Sequence, residues 1–140
     1  SATPDEVEEL FPKTFPVGKQ FGVIIVHIDD MDFEVATFRS DEGYSDGRRP
    51  DSVRFTDEKE DVLRHDFTIN GLLYDPLKDT ILDYVEGQKD IKHKIIRTIG
   101  DPLKRFTEDK LRMIRAIRFA TRFNFAIEVN AGSTSIVHPP

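Results

Sequence analysis

Between Phe21 and Ile28 the chain runs Phe-Gly-Val-Ile-Ile-Val-His-Ile, a β-branched stretch with almost no polar interruption. A strand with one wet face would alternate apolar and polar residues. This one does not, which predicts a strand covered on both faces and so further layers packed on each side of it. Phe33–Phe38 is a second candidate strand, and Asp29-Asp30-Met31-Asp32 between them reads as a hairpin turn. Helical patterns on either side make the class α/β (α+β). With 140 residues, 38% of them hydrophobic and eleven of them Phe, the chain can bury one core of ordinary domain size. One domain, or part of one, is expected.

Residues Ser1–Leu10 read as a short acidic helix start, and Ser40–Asp57, rich in Gly, Asp, Ser and Arg, as a mobile loop. Asp57 followed by Glu60 has the form of a capping box; the helix it opens is predicted to run through Val62, Asp66, Ile69 and Leu73, which share a face, and to end at Pro76. Thr80–Val85 and Lys94–Ile99 are candidate strands, with a turn beginning at Gly87. Thr107 is the expected N-cap of a last helix reaching Phe123, with Glu108 and Asp109 at the positive end of its dipole. From residue 126 to 140 the chain has no usable periodicity and is expected to be irregular or disordered.

Charge is distributed unevenly. The formal net charge of −6 argues against a chain-wide grip on nucleic acid, yet Lys89–Arg122 holds eleven Lys or Arg against four Asp or Glu. Any phosphate contact is expected there. The absence of Cys removes disulfides and thiolate metal sites and fits a cytoplasmic protein. No apolar run approaches the ~20 residues that span a bilayer, and the N-terminus has no signal-like pattern, so the expectation is a soluble, unprocessed chain without a membrane partner. His27, His65, His93 and His138 have no metal-ligand spacing.

Three constellations could carry chemistry. In the last helix, at ~100° per residue, Arg112, Arg115, Arg118 and Arg122 fall in one sector, while Met113, Ile114, Ala116, Ile117, Ala120 and Phe123 take the other side. The stripe is either a solvated basic face or a phosphate-binding one, and Arg is the residue that recognises phosphate bidentately. Asp109 and Arg112, three residues apart, either pair with each other or act on one ligand. Adenine and cytosine present an amino donor beside an unprotonated ring nitrogen. A carboxylate beside a guanidinium complements that edge and opposes guanine and uracil, so such a site would take ATP and CTP. In Arg64-His65-Asp66-Phe67-Thr68-Ile69-Asn70-Gly71, Asp66 and Asn70 form either a core network satisfied by Arg64 or a backbone N–H, or a ribose or phosphate contact. Glu34, on the second strand, is an edge-strand carboxylate or a metal ligand. Asp30-x-Asp32 is explained by the hairpin turn and needs no metal.

These residues resemble a known family. Arg64-His65-Asp66-Phe67-Thr68-Ile69-Asn70 is similar to the Arg-Arg-Asp-Phe-Thr-Ile-Asn motif of class II CCA-adding tRNA nucleotidyltransferases and bacterial poly(A) polymerases. Arg105-Phe106-Thr107-Glu108-Asp109-Lys110-Leu111-Arg112-Met113-Ile114-Arg115-Ala116-Ile117-Arg118-Phe119 resembles their Glu-Asp-x-x-Arg-x-x-Arg-x-x-Arg-Phe motif. Asp83-Tyr84-Val85-Glu86-Gly87-Gln88-Lys89-Asp90 looks like the motif that links the two, with Glu86 where a Gly is usual. The likeness runs from about Ser1 to Ile127, with every motif in the family's order.

The resemblance implies an incomplete polymerase-β-like nucleotidyltransferase head with a mixed sheet over residues 1–100, the first neck helices with the nucleotide template over 101–125, and an irregular tail over 126–140. By likeness, Asp109 and Arg112 would read the incoming base, Arg115 and Arg118 would hold the nucleotide, Arg64 and His65 would contact it, and Asp66 and Asn70 would lie at its sugar. Glu34 would be a third metal carboxylate, catalytic through two Mg²⁺, as an RNA 3′-hydroxyl attacks the α-phosphate of ATP or CTP and releases pyrophosphate. The expected partners are nucleoside triphosphates and the 3′ end of tRNA or another RNA, the latter mostly through regions beyond these residues. His65 replaces an Arg of the family motif, which should weaken phosphate binding. The family's Gly-Gly-x-Val-Arg-Asp loop and Asp-x-Asp strand precede the segment matching Ser1–Pro4, so these residues alone are expected to be inactive. The alternative is a nucleotide- or RNA-binding module without transfer chemistry. A sheet lacking its leading strand would also leave an edge through which two copies could dimerise.

Overall fold

The computed structural model describes residues 2–47, 50–128 and 136–137. The chain divides into two compact units, Ser1–Glu42 with Ser52–Asp61, and Gly43–Asp51 with Val62–Pro140. Among the described residues no helix is long and apolar enough to cross a membrane.

The first unit is built on an antiparallel sheet in the order β1 (Thr14–Gly18), β2 (Val23–Ile28), β3 (Met31–Ala36). Asp29 and Asp30 both take positive φ, 47° and 61°, as a two-residue hairpin turn whose twist matches its strands requires. The turn is two residues long because Met31 and Asp32 already belong to β3, paired with Ile28 and His27. Ile24 and Val26 are fully buried and pack with Val7, Phe11 and Val35. Val23, Ile25 and His27, on the other face, are only half-buried, so β2 is closed on one side rather than both. Val7 comes from α1 (Pro4–Leu10), whose N-terminus is closed by Thr3 and Glu6 in a reciprocal capping box. The described part of 40–57 is more ordered than expected, because β4 (Arg39–Glu42) and β5 (Ser52–Phe55) pair with each other.

Asp57 caps α2 (Glu58–Arg64) through the Glu60 N–H at 2.8 Å. The helix stops at Arg64 rather than continuing to Leu73. The Asp66 carboxylate accepts the Phe67 N–H at 2.9 Å, and such a local side-chain bond competes with helical hydrogen bonding. A single 3-10 turn, Thr68–Asn70, follows, and Leu73 lies in the hairpin β6 (Leu72–Asp75) and β7 (Thr80–Asp83).

Gly87 opens a helix, α3 (Gly87–His93), where a turn was expected. Burial alone would raise the Asp83 carboxyl, but the N–H groups of Gln88, Gly87 and Val85 donate to it and hold it below its ordinary value. That contribution is complete above about pH 4 and is lost as the pH falls through the depressed folded value. Asp83→Ala should therefore cost about 1 kcal/mol near neutrality. Acid-unfolding curves of the two proteins should converge at low pH, and curves separated equally at every pH would contradict this role.

Lys94–Ile99 contributes a strand of two residues, β8 (Ile95–Ile96), and an isolated bridge from Thr98 to Phe67. The last helical region is two helices, α4 (Pro102–Glu108), capped by Asp101, and α5 (Leu111–Phe123). Thr107 is no cap; its hydroxyl donates to the Leu103 carbonyl. After α5, β9 (Ala126–Glu128) pairs parallel with β8 and antiparallel with β10 (Ile136–Val137), so this part of the tail is regular and its sheet is mixed. Residues 129–135 and 138–140 of the expected irregular tail lie outside the described residues. The core of the second unit is Phe67, Ile96, Ala116 and Ala120, flanked by Ile69, Phe106, Phe119, Phe125 and Ile127.

Candidate functional site

The break between α4 and α5 is made by Asp109. Its backbone is extended, φ −143° and ψ 104°, and its Oδ1 accepts the Leu111 N–H at 2.9 Å. This places the Asp109 side chain at the start of α5, three residues before Arg112.

Arg112 does not lie on an exposed stripe. It is 6% exposed and shares the buried face of α5 with Ala116 and Ala120, at steps of four residues. Met113, Ile114 and Ile117, expected to pack, are between 46% and 65% exposed. The expected division of the helix faces is thus wrong at both edges, because ion pairing makes Arg112 an acceptable inward residue. Its Nη1 donates to Glu108 Oε2 at 3.1 Å and to the Arg105 carbonyl at 3.0 Å, and the Tyr44 ring centre lies 5.8 Å from the guanidinium carbon. Asp109 and Arg112 do not pair with each other; Glu108 is the partner.

Glu108 also holds Arg105 Nη1 at 2.7 Å. Arg105 Nη2 donates to the carbonyls of Arg64 at 2.5 Å and His65 at 2.7 Å, so this guanidinium ties α4 to the chain leaving α2. Burial, followed by the nearby Arg112 charge, pulls the Arg105 pKa below its ordinary value, although an arginine remains charged. One carboxylate thus serves two guanidinium groups. Sequence reasoning placed Glu108 only at a helix dipole; its spacing from Arg105 (i, i+3) and Arg112 (i, i+4) was the available signal. Tyr44, from a loop of small and polar residues, carried no signal.

The second cluster is centred on Asp66, which is 8% exposed. Oδ1 accepts from the Phe67 N–H and from Asn70 Nδ2 at 2.9 Å each, and Oδ2 accepts from Arg115 Nε at 2.5 Å. The backbone N–H was anticipated as a partner; the arginine is Arg115, not Arg64. His65 Nδ1 lies 2.8 Å from the Asn70 carbonyl, and since a carbonyl only accepts, this nitrogen donates. Arg118 is exposed, its guanidinium 5.8 Å from the Phe119 ring centre. Glu34 belongs to the first unit, exposed on the edge strand β3 opposite Ile25. Among the described residues no three His, Cys, Asp or Glu side chains come together to hold a metal ion.

The model of the poly(A) polymerase head domain matches residues 1–97. The chain is 52% identical over 127 residues to a CCA-adding enzyme of Bacillus pumilus and 50% identical over 129 residues to one of Staphylococcus saprophyticus, covering 90% and 91% of this chain. It spans about a third of the length of these curated relatives, 32% in each case. The crystal structure of the Bacillus stearothermophilus CCA-adding enzyme in complex with CTP superposes with a TM-score of 0.80 at 41% identity, over 91% of this chain and 30% of that one.

Proposed function

Because the chain belongs to the poly(A) polymerase head-domain family, we propose that it is part of a template-independent RNA nucleotidyltransferase that adds CMP and AMP, from CTP and ATP, to RNA 3′ ends. The likeness to CCA-adding enzymes supports tRNA as the acceptor, and with it a cytoplasmic location.

The observation that carries this reading is the half-committed state of Asp109 and Arg112. Asp109 Oδ1 is occupied by the Leu111 N–H and Arg112 Nη1 by Glu108 and Arg105, while Asp109 Oδ2 and Arg112 Nε and Nη2 have no hydrogen-bond partner among the described residues. Each side chain is fixed by one half and offers the other. A carboxylate acceptor and a guanidinium donor three residues apart, each restrained by its hydrogen-bonded half, would match the pairing edge of cytosine or adenine and oppose that of uracil or guanine. The Tyr44 ring covers the guanidinium, so a base must slide past or displace it. Arg115, anchored by Asp66, and Arg118 would hold the nucleotide's phosphates, while Arg64, His65, Asp66 and Asn70 would shape its sugar side. A catalytic Mg²⁺ is not supported by Glu34 alone, which is exposed and joins no group of three His, Cys, Asp or Glu side chains among the described residues. Dimerisation through an open sheet edge would use β1 or β3, the outer strands of the first unit's sheet.

Calorimetric titration with CTP, ATP, GTP and UTP tests the proposal. CTP and ATP should bind and the other two should not, and Asp109→Ala or Arg112→Ala should weaken binding at least tenfold, as expected when a buried polar partner is left unpaired. Equal binding of all four nucleotides would refute base reading by this pair. The second reading, a binding module without transfer chemistry, rests on Glu34 joining no such group, and nucleotide transfer by the chain would exclude it.

A further inference from the structure

Arg105, on α4, holds two stretches of the second unit that lie 40 residues apart in the chain. Its backbone carbonyl accepts the Asp109 N–H at 3.3 Å and Arg112 Nη1 at 3.0 Å, so one oxygen anchors both base-reading residues. Its guanidinium holds Glu108 through Nη1 at 2.7 Å, and through Nη2 the carbonyls of Arg64 at 2.5 Å and His65 at 2.7 Å. Those carbonyls directly precede Asp66, whose carboxylate holds Asn70, while His65 Nδ1 donates to the Asn70 carbonyl. The Arg105 side chain is only 11% exposed. A charge buried in this way is a poor route to stability, since an apolar side chain of similar volume often serves as well. What a guanidinium supplies is a rigid planar fork that can hold a carboxylate and two carbonyls at once.

We infer that Arg105 is a positioning residue that couples the two halves of the nucleotide site, the base edge read by Asp109 and Arg112 and the sugar side shaped by His65, Asp66 and Asn70. The inference rests on the base reading proposed for Asp109 and Arg112. It adds that selection of the base and grip on the sugar are one property rather than two. A shift of the Arg64 and His65 carbonyls pulls on the guanidinium, and the same residue carries the carbonyl that fixes Asp109 and Arg112 and holds the Glu108 carboxylate that fixes Arg112 again. Loosening either half therefore loosens the other. No hydrogen bond among the described residues joins Asp109 to Asn70 directly, and residues without a shared partner ordinarily contribute additively. A second route between the halves exists through the ion pair of Arg115 with Asp66, so the test must tell the two routes apart.

The test is a double-mutant cycle read by calorimetric titration with CTP, using Asp109→Ala, Asn70→Ala and the two combined. Each single substitution should weaken CTP binding about tenfold, and the pair should fall short of the multiplied loss by at least about threefold. The cycle is repeated in Arg105→Lys, whose ammonium still answers Glu108 but is a point charge and not a fork. There the two losses should multiply in full. In Arg115→Gln, which removes the other route, the shortfall should remain. Melting followed by circular dichroism shows which variants are folded at the assay temperature, and where Arg105→Lys is not, the Arg115→Gln cycle decides. An Arg105 that serves the fold alone would lower the melting temperature and leave the shortfall unchanged. Full multiplication in the wild-type background, the same shortfall in folded Arg105→Lys, or its loss in Arg115→Gln would each overturn the coupling. If Asp109→Ala alone leaves CTP affinity unchanged, base reading fails and this inference with it, whereas two effective substitutions that simply multiply overturn the coupling alone.

Discussion

Gly87→Ala should destabilise the protein by about 3 kcal/mol, at the upper end for overpacking, and lower its melting temperature by on the order of 10 °C. A Cβ on Gly87 would lie 2.3 Å from the Thr68 carbonyl oxygen and 3.0 Å from Leu72 Cδ2. The first obstacle is backbone, which cannot rotate away. It is also committed, because the same carbonyl accepts the Gly71 N–H at 3.0 Å and closes the 3-10 turn. The Thr68 hydroxyl donates to the buried Asp90 carboxylate at 2.7 Å, and Arg97 donates to that carboxylate as well, which raises the Arg97 pKa. Pushing Thr68 aside therefore strains a network between α3 and the segment that carries Asp66 and Asn70. Gly47→Ala is the contrasting case. Its added Cβ meets nothing within 4 Å, and only its φ of 67° is penalised, so about 1 kcal/mol is expected. Thermal unfolding of the two variants gives the answer, and a Gly87→Ala protein that melts with Gly47→Ala would mean that α3 does not rest on Thr68.

Much of this arrangement was readable from residue order, for identifiable reasons. The hairpin at Asp29-Asp30 was legible because aspartate tolerates positive φ and few other residues do. Glu86, standing where the resembling family has Gly, proves to sit at φ 60°, so the position itself demands a left-handed residue and the helix that follows needs it. What could not be read depended on competition between side chain and backbone. The apolar spacing of Val62, Ile69 and Leu73 fits a helix, and nothing in periodicity reveals that the Asp66 carboxylate takes the Phe67 N–H and ends it. The spacing of arginines likewise suggests one exposed stripe. Whether an arginine turns inward depends on a carboxylate within reach, and Glu108 sits one turn before Arg112 where no equivalent precedes Arg118 on its helix. The hairpin across residues 40–57 escaped because its strands, Arg39–Glu42 and Ser52–Phe55, are short and mostly polar.

Glu108→Ala should be more damaging still, at about 3–5 kcal/mol, the range for removing one partner of a buried ion pair. The side chains of Arg105 and Arg112 are 11% and 7% exposed, and both lose the single carboxylate that answers them. Two like charges would then face each other in a setting where burial and mutual repulsion already lower the Arg105 pKa. Against a total stability of about 5–15 kcal/mol, a loss of this size leaves little margin, and urea unfolding should show a greatly reduced midpoint. Glu108→Gln separates folding from recognition. The amide keeps the size and one acceptor, so a larger part of the fold should persist, but the charge holding Arg112 Nη1 is gone. Arg112 is then free to pair with Asp109, three residues before it, and that pairing would close the edge proposed to read the base. CTP affinity should therefore fall further in Glu108→Gln than its unfolding midpoint accounts for. A folded Glu108→Gln protein with undiminished CTP binding would show that Glu108 serves the fold alone and that Arg112 needs no such restraint to recognise a base.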